Sequence, residues 1–563
     1  MSRESEVSGV DLVRHRVEWP GSQAPGATIR TSRGNVCVSG SSRRSPSARS
    51  VPVSTRTVEH QDGRPPGSGP AEAVEETYSR RKRIGLVAGV VAAAAVYLLL
   101  PDTLGDEGKT TAAIAVLMAA WWMTEAIPIP ATALLPLVLF PFLGVAEISD
   151  AASPYANDII FLFMGGFMLG LAMQRWNLHR RIALVVVAAV GTSPVMLIAG
   201  FMIATGFITM WVSNTATTIM MLPIGLSVLT LVAQVRRGEE DTNFSTALML
   251  GIAYAASIGS VSTLIGTPPN ALMRGYLSEN HGITIGFGQW MAVGVPLAVV
   301  FLVITWLVLT RFIYPPKIKE LAGGRELIRG ELRKLGPMSR GEWTVLLVFA
   351  SAALAWVFVP LLADNDTVIE TAPWLDNISD AGIAMALAVA LFLIPVDGRR
   401  GVRALDWETA VKLPWGILLL FGGGLSLSRQ FGETGLSAWI GERVGVLDGV
   451  PIWVLILVVT LVVLLLTELT SNTATAAAFL PIMGGVAIGM NADVMMLVIP
   501  TALAATLAFM LPVATPPNAI AFGSGYVKIG QMVRAGFWLN IIGLILVLVV
   551  MYTFAGWVFG LSF

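Results

Sequence analysis

From Ile84 to the C-terminus the chain returns repeatedly to apolar windows long enough to cross a hydrocarbon layer of about 30 Å, among them 84–100, 290–309 and 536–559. Inside such a layer no water satisfies backbone N–H and C=O groups, so a crossing segment must be a helix or part of a closed barrel. Barrel strands alternate apolar and polar side chains, and these windows do not. The expected fold class is therefore an all-α polytopic membrane protein. Composition agrees: 55% of the 563 residues are hydrophobic and only 13% charged, with a mean hydropathy of +0.71, well outside the range of soluble domains.

Acidic and basic residues balance at 37 each, so charge gives no reason to expect a nucleic-acid partner. The single cysteine, Cys37, excludes an intrachain disulfide and a cysteine metal site. Residues 1–78 are rich in Ser, Arg, Gly and Pro, lack an apolar period and are expected to form a disordered tail. They are too polar for a secretory signal, and no organelle signal stands out, which points to the plasma membrane or a bacterial inner membrane.

Segmentation places spans near 84–101, 110–127, 130–145, 158–175, 246–277, 290–311, 343–362, 380–396, 414–430, 494–527 and 534–560, about 11 transmembrane helices. Two further apolar stretches, 195–233 and 452–489, are too long for one span, and each carries SNTAT near its middle, at 213–217 and 471–475. They read as re-entrant helical hairpins that leave the membrane on the side they entered. Basic residues test this layout. Arg80, Arg81, Lys82 and Arg83 precede the first span and place the N-terminus in the cytoplasm. With re-entrant hairpins the remaining cytoplasmic loops collect Arg175, Arg180, Arg181, Arg236, Arg237, the 317–340 segment, Arg399, Arg400, Arg403, Lys528 and Arg534. The opposite loops hold Asp102, Asp106, Glu107, Asp364, Asp366, Glu370 and Asp376. Treating either hairpin as a single span would invert every later loop.

The first hairpin then opens from the cytoplasm and the second from outside, an inverted repeat. A second duplicated string supports it: TPPNA follows each SNTAT, at 267–271 and 515–519, and FLFMGGFML (161–169) resembles LLLFGGGLS (418–426) upstream. The expected domains are the tail, 1–78; a first helix plus first repeat, 79–341; and a second repeat, 342–563. Paired prolines remove backbone donors and clash with the preceding turn, so Pro268-Pro269 and Pro516-Pro517 are expected to break the helices 246–277 and 494–527. Broken helices at membrane depth are tolerated where they line a polar cavity or bind a ligand.

The chemistry of the tips follows from their side chains. Ser and Thr hydroxyls and the Asn amide can donate to a carboxylate, while hydroxyl and carbonyl oxygens suit a hard cation. Half-helix N-termini beyond each break add positive dipole ends. A single SNT could equally bond back to its own helix or serve packing; its duplication in opposed hairpins favours a site.

At these residues the chain resembles the divalent anion:sodium symporter family, over nearly all of 84–563. WWMTEAIPIPATALLP (121–136) and TELTSNTATAAAFLP (467–481) are similar to its signature segments. The resemblance implies a homodimer of protomers with 11 transmembrane helices, each with a scaffold domain and a transport domain that carries substrate by an elevator movement. It implies one sodium site at Thr209, Ser213 and Asn214 with backbone near Gly266, and another at Thr467, Thr470 and Asn472 with backbone near Ala514. It implies substrate carboxylates held by Asn214 and Thr215 at one end and Ser471, Asn472 and Thr473 at the other, closed by Thr267, Thr515 and Pro516. Intact SNT copies suggest C4 dicarboxylates such as succinate, fumarate and malate. The lack of Lys or Arg in the SNT and TPPN stretches suggests sodium coupling, with Na+ as the coupling ion and no organic cofactor. Sodium-independent exchange, and symport of citrate or sulfate, stay open.

Glu125 and Glu468 lie near or within apolar spans, where ionisable residues often serve function. A proton relay is one reading, and a structural hydrogen bond beside a helix turn is the expected one. His179 is expected in a solvated basic loop, and His281 in an outside loop without a role. The 316–340 segment reads as an interfacial helix. An enzyme is not expected, since HExxH, GxSxG and P-loop motifs are all missing. An anion channel is the stronger rival, but it needs an open path where two dead-end hairpins build an occluded site.

Overall fold

Several helices begin at a side-chain cap, and several stop at glycine. The computed structural model describes residues 70–562 apart from 192, 236–240, 319–323, 364 and 445–448. The expected disorder of 1–78 lies outside the described residues as far as 69. From Pro70 the chain is already helical, in an opening helix Pro70–Leu99 that packs on a second, Gly105–Thr124. The second helix ends at Glu125, held in the left-handed region at φ 50°, a conformation that costs a non-glycine residue about 1 kcal/mol. Prolines then divide 129–142 into two short helices, Ile129–Thr132 and Leu135–Phe142.

Asn157 opens the helix Asp158–Arg175 by accepting from Ile159 N at 3.1 Å. A shorter helix, Leu178–Val190, leads to the first hairpin. Ser193 accepts from Met196 N with Pro194 next to it, a strong start for the first arm, Pro194–Thr209. The return arm is Asn214–Val235. The second hairpin repeats the pattern with Ile452–Thr467 and Asn472–Gly489. In both, the tip serine's carbonyl accepts the first bond of the return arm, Ser213 from Thr217 N and Ser471 from Thr475 N, each at 2.9 Å.

The expected breaks occur at the paired prolines. The first helix runs Thr242–Ser260 and resumes at Pro268–His281; the second runs Met495–Thr506 and resumes at Pro516–Gly523. Every residue of Phe244–Ser260 and of Met495–Thr506 is buried, so these helices, apolar all round, form the centre of the molecule. Each resumed half also packs on the other repeat's hairpin: Pro268–His281 lies against Asn472–Gly489, and Pro516–Gly523 against Asn214–Val235. Close approach needs glycine. A Cβ on Gly259 would meet the Gly206 carbonyl oxygen at 2.3 Å, where the first arm crosses the first broken helix.

Around this centre lie Phe287–Leu307, Arg340–Ala363, Asp380–Leu393, Trp415–Glu433 and Ile529–Val550. On Arg340–Ala363, Leu347, Leu354, Phe358 and Leu361 are exposed along one face, as expected where hydrocarbon replaces water. Among the described residues seven helices are long and apolar enough to cross a membrane, and five more are apolar but shorter. The short ones include both outgoing hairpin arms and Met495–Thr506, which end at a tip or a break. One local expectation needs correction. His179 is not in a solvated loop: it sits in Leu178–Val190, buried, with Nδ1 3.0 Å from the Met173 carbonyl. The described part of the 316–340 segment does contain a helix, Gly324–Lys334, packed on Leu178–Val190 and tied to it by Arg180 and Glu331 at 3.0 Å. A small antiparallel ribbon, Pro395–Asp397 with Val402–Arg403, had no signal in the sequence.

Candidate functional site between the two hairpin tips

The two tips and the two breaks meet around one cavity of about 660 Å³. Its wall brings together Ser213, Asn214 and Thr215; Gly266 and Thr267; Thr470, Ser471, Asn472 and Thr473; and Ala514, Thr515 and Pro516. Thus every residue named from the sequence for substrate reaches this one wall. Of those named for sodium, Thr209 and Thr467 stand behind it. Both are fully buried: Thr209 Oγ1 donates to Ala256 O at 3.0 Å, and Thr467 Oγ1 lies 2.8 Å from Asn472 Oδ1 and 2.7 Å from Ala505 O.

Four helices start at this wall, with Asn214, Pro268, Asn472 and Pro516 as their first residues. The positive ends of their peptide dipoles face the cavity without a charged side chain, although Pro268-Pro269 and Pro516-Pro517 offer no N–H of their own, so free N–H groups can come only from the two SNT helices. The donors beside them are hydroxyls, amides and peptide carbonyls, neutral oxygens that suit a hard monovalent cation. Among the described residues no group of three or more His, Cys, Asp or Glu side chains comes together. An anion flanked by such cations is what this arrangement can hold.

The breaks are less exposed than their sequence suggests, because side chains satisfy much of the loop backbone. Asn270 Nδ2 donates to Val261 O and Thr263 O at 3.1 and 2.9 Å, and Trp290 Nε1 also reaches Val261 O, at 3.0 Å. Asn518 Nδ2 donates to Ala508 O and Leu511 O, both at 3.1 Å, and Tyr254 Oη reaches Phe509 O at 2.9 Å. The asparagines of TPPN are therefore fully buried braces, and the cavity receives the residues just before them. Gly266 sits where a Cβ would meet Ser260 O at 2.2 Å.

Glu468 is a brace too. Its carboxylate is buried and accepts from Phe509 N at 2.7 Å, Met510 N at 2.9 Å, Leu511 N at 3.1 Å and Asn540 Nδ2 at 2.7 Å. These donors occupy its acceptor sites, which supports the structural reading over a proton relay. The first repeat makes the same tie with inverted chemistry. Met210 stands where Glu468 stands, three residues before the tip serine, and there the Thr263 hydroxyl donates to the Met210 carbonyl.

Two charged residues also reach the wall, Arg81 and Glu125, neither of which the sequence placed in the substrate or sodium sites. Arg81 counted only as a marker of orientation. The unusual backbone of Glu125, inside a quoted signature segment, carries no letter of its own. His281 closes the helix Pro268–His281 and lies 2.9 Å from Tyr276 Oη, away from the wall.

The family model for the sodium:sulfate symporter transmembrane region matches residues 80–561. The chain belongs to the sodium:sulfate symporter family. This symporter-family chain is 42% identical over 493 residues to the sodium-dependent dicarboxylate transporter SdcS of Staphylococcus saprophyticus, covering 86% of the chain and 94% of that relative. It is 42% identical over 486 residues to SdcS of Staphylococcus aureus strain USA300, covering 85% and 92%. Among solved structures it shares its fold with the Alcanivorax borkumensis YdaH transporter at TM-score 0.53, 13% identity and coverage of 79% of this chain and 98% of that one. Neisseria gonorrhoeae MtrF matches at TM-score 0.53 and 12% identity, covering 84% and 98%. The symporter-family chain is thus a multi-pass membrane protein whose described core is helical.

Proposed function

We propose that this protein carries C4 dicarboxylates, succinate, fumarate or malate, across the membrane together with sodium ions. The observation that carries the reading is the convergence of four helix N-termini and two SNT tips on one cavity. The name of the SdcS relatives, sodium-dependent dicarboxylate transporters, supports the same substrate and ion. One carboxylate is taken by Asn214 and Thr215, the other by Ser471, Asn472 and Thr473, with Thr267, Thr515 and Pro516 closing the site. One sodium ion goes to Thr209, Ser213, Asn214 and the backbone at Gly266, the other to Thr467, Thr470, Asn472 and the backbone at Ala514. A dianion is strongly hydrated and costly to bring into a low-dielectric core, and cations beside it offset that charge.

The hairpins enter from opposite faces and the two repeats are inverted, with the N-terminus cytoplasmic. The protein works as a homodimer whose transport domains move by an elevator step. The test is uptake of labelled succinate into proteoliposomes under an inward sodium gradient, with potassium or choline in the controls. Sodium-dependent accumulation, lost in Asn214→Ala and Asn472→Ala, is expected. Uptake that ignores sodium and needs internal dicarboxylate would replace symport with exchange.

A further inference from the structure

Among the described residues that line the cavity, Arg81 is the one cation and Glu125 the one anion. Arg81 belongs to the opening helix, far in sequence from every motif of the site. Its Nη2 donates to the Met123 carbonyl at the end of the second helix, at 2.7 Å, and to the Leu469 carbonyl at 3.3 Å. Leu469 is in the second tip, between Glu468 and Thr470, and is exposed. One guanidinium thus bridges the first helix pair and the second tip at the rim of the cavity. On its other side the same tip is anchored by Glu468 to the loop of its own repeat.

We propose that Arg81 is a carboxylate-operated latch, which binds a dianion at the rim of the cavity and in doing so lets go of the second tip. The proposal rests on the dicarboxylate reading above. A peptide carbonyl is a neutral acceptor, whereas a carboxylate accepts a charge-assisted bond about twice as strong and meets the guanidinium fork with two oxygens. A dianion at the rim therefore competes successfully with Leu469 for Arg81. Freed from the first helix pair, the tip stays bound through Glu468 to the second broken helix and follows it. The positive charge also draws dianions to the mouth, an attraction that salt screens.

The test compares wild type, Arg81→Ala and Arg81→Lys in detergent, where both faces are open to ligand. Succinate affinity is measured at fixed sodium over a range of choline chloride, and amide hydrogen exchange is followed without succinate. Loss of the charge-assisted bond should raise the succinate Kd roughly tenfold in Arg81→Ala and flatten its dependence on ionic strength. Exchange should quicken at residues 466–473 and stay unchanged at 209–215. Arg81→Lys should recover part of the affinity but not the slow exchange, since an ammonium lacks the fork. Unchanged Kd and unchanged tip exchange in Arg81→Ala would overturn the latch, and so would exchange that quickens throughout the protein. If the wild type binds succinate at no sodium concentration, the transport reading fails along with it; if it binds and Arg81→Ala matches it, the latch alone fails.

Discussion

Glu468 illustrates what single letters disclose. That an acidic residue inside an apolar run needs donors is legible, and so is the choice between function and structure. Its partners are not, because three of them are backbone amides of residues 509–511, and a peptide N–H is the same in every letter but proline. Replacing the carboxylate with an amide keeps the shape but turns an acceptor against those donors. Glu468→Gln should destabilise the protein by about 2–3 kcal/mol, seen as a lower melting temperature in detergent. The TPPN asparagines are silent in a related way. They recur at both breaks, yet the letters do not say that they hold loop carbonyls. Asn270→Ala and Asn518→Ala should each lower the melting temperature more than Thr267→Ala or Thr515→Ala.

Hairpins and broken helices were readable as elements because a helix in hydrocarbon has few ways to stop, and SNTAT and TPPN spell two of them twice. Helix starts were less so: the opening helix reaches back to Pro70, into sequence whose composition alone argues for disorder. Gly266 tests the geometry of a break. Alanine there would press on the Ser260 carbonyl, and overpacking of this kind costs about 1–3 kcal/mol. Gly266→Ala should therefore fold yet bind neither sodium nor succinate well, a loss of affinity measurable in the same detergent assay. The helix Leu178–Val190 makes a different prediction. Burial is the main reason His179 prefers its neutral form more than free histidine does; the neighbouring Arg180 acts in the same direction, and the Met173 carbonyl opposes them. Because its folded pKa lies below the unfolded value of about 6.5, stability should fall as pH drops below that value, where the unfolded chain gains the proton first. Comparing melting temperatures of wild type and His179→Gln at pH 7.5 and 5.5 checks this: the difference should shift in favour of the variant at the lower pH.

At the scale of the whole molecule, the repeats are tied by contacts that no sequence period announces. Arg274, on the resumed half of the first broken helix, is buried between Asp158 and Asp380, with Nη2 3.2 and 3.8 Å from them, and Nε donates to Ile285 O at 2.9 Å. Asp380 opens the helix Asp380–Leu393 and also accepts from Phe287 N at 3.0 Å. Removing Arg274 leaves the buried Asp380 without its counter-charge, and loss of one partner of a buried pair costs about 3–5 kcal/mol. Arg274→Met should lower the melting temperature sharply, and adding Asp380→Asn should restore part of the loss.

The four helix ends at the cavity have one more consequence. A potential built from peptide bonds has no pKa and no side chain, so neither acidity nor point mutation can switch it off. Ser, Thr and Asn around the cavity can then change while the attraction for negative charge persists as a property of the backbone.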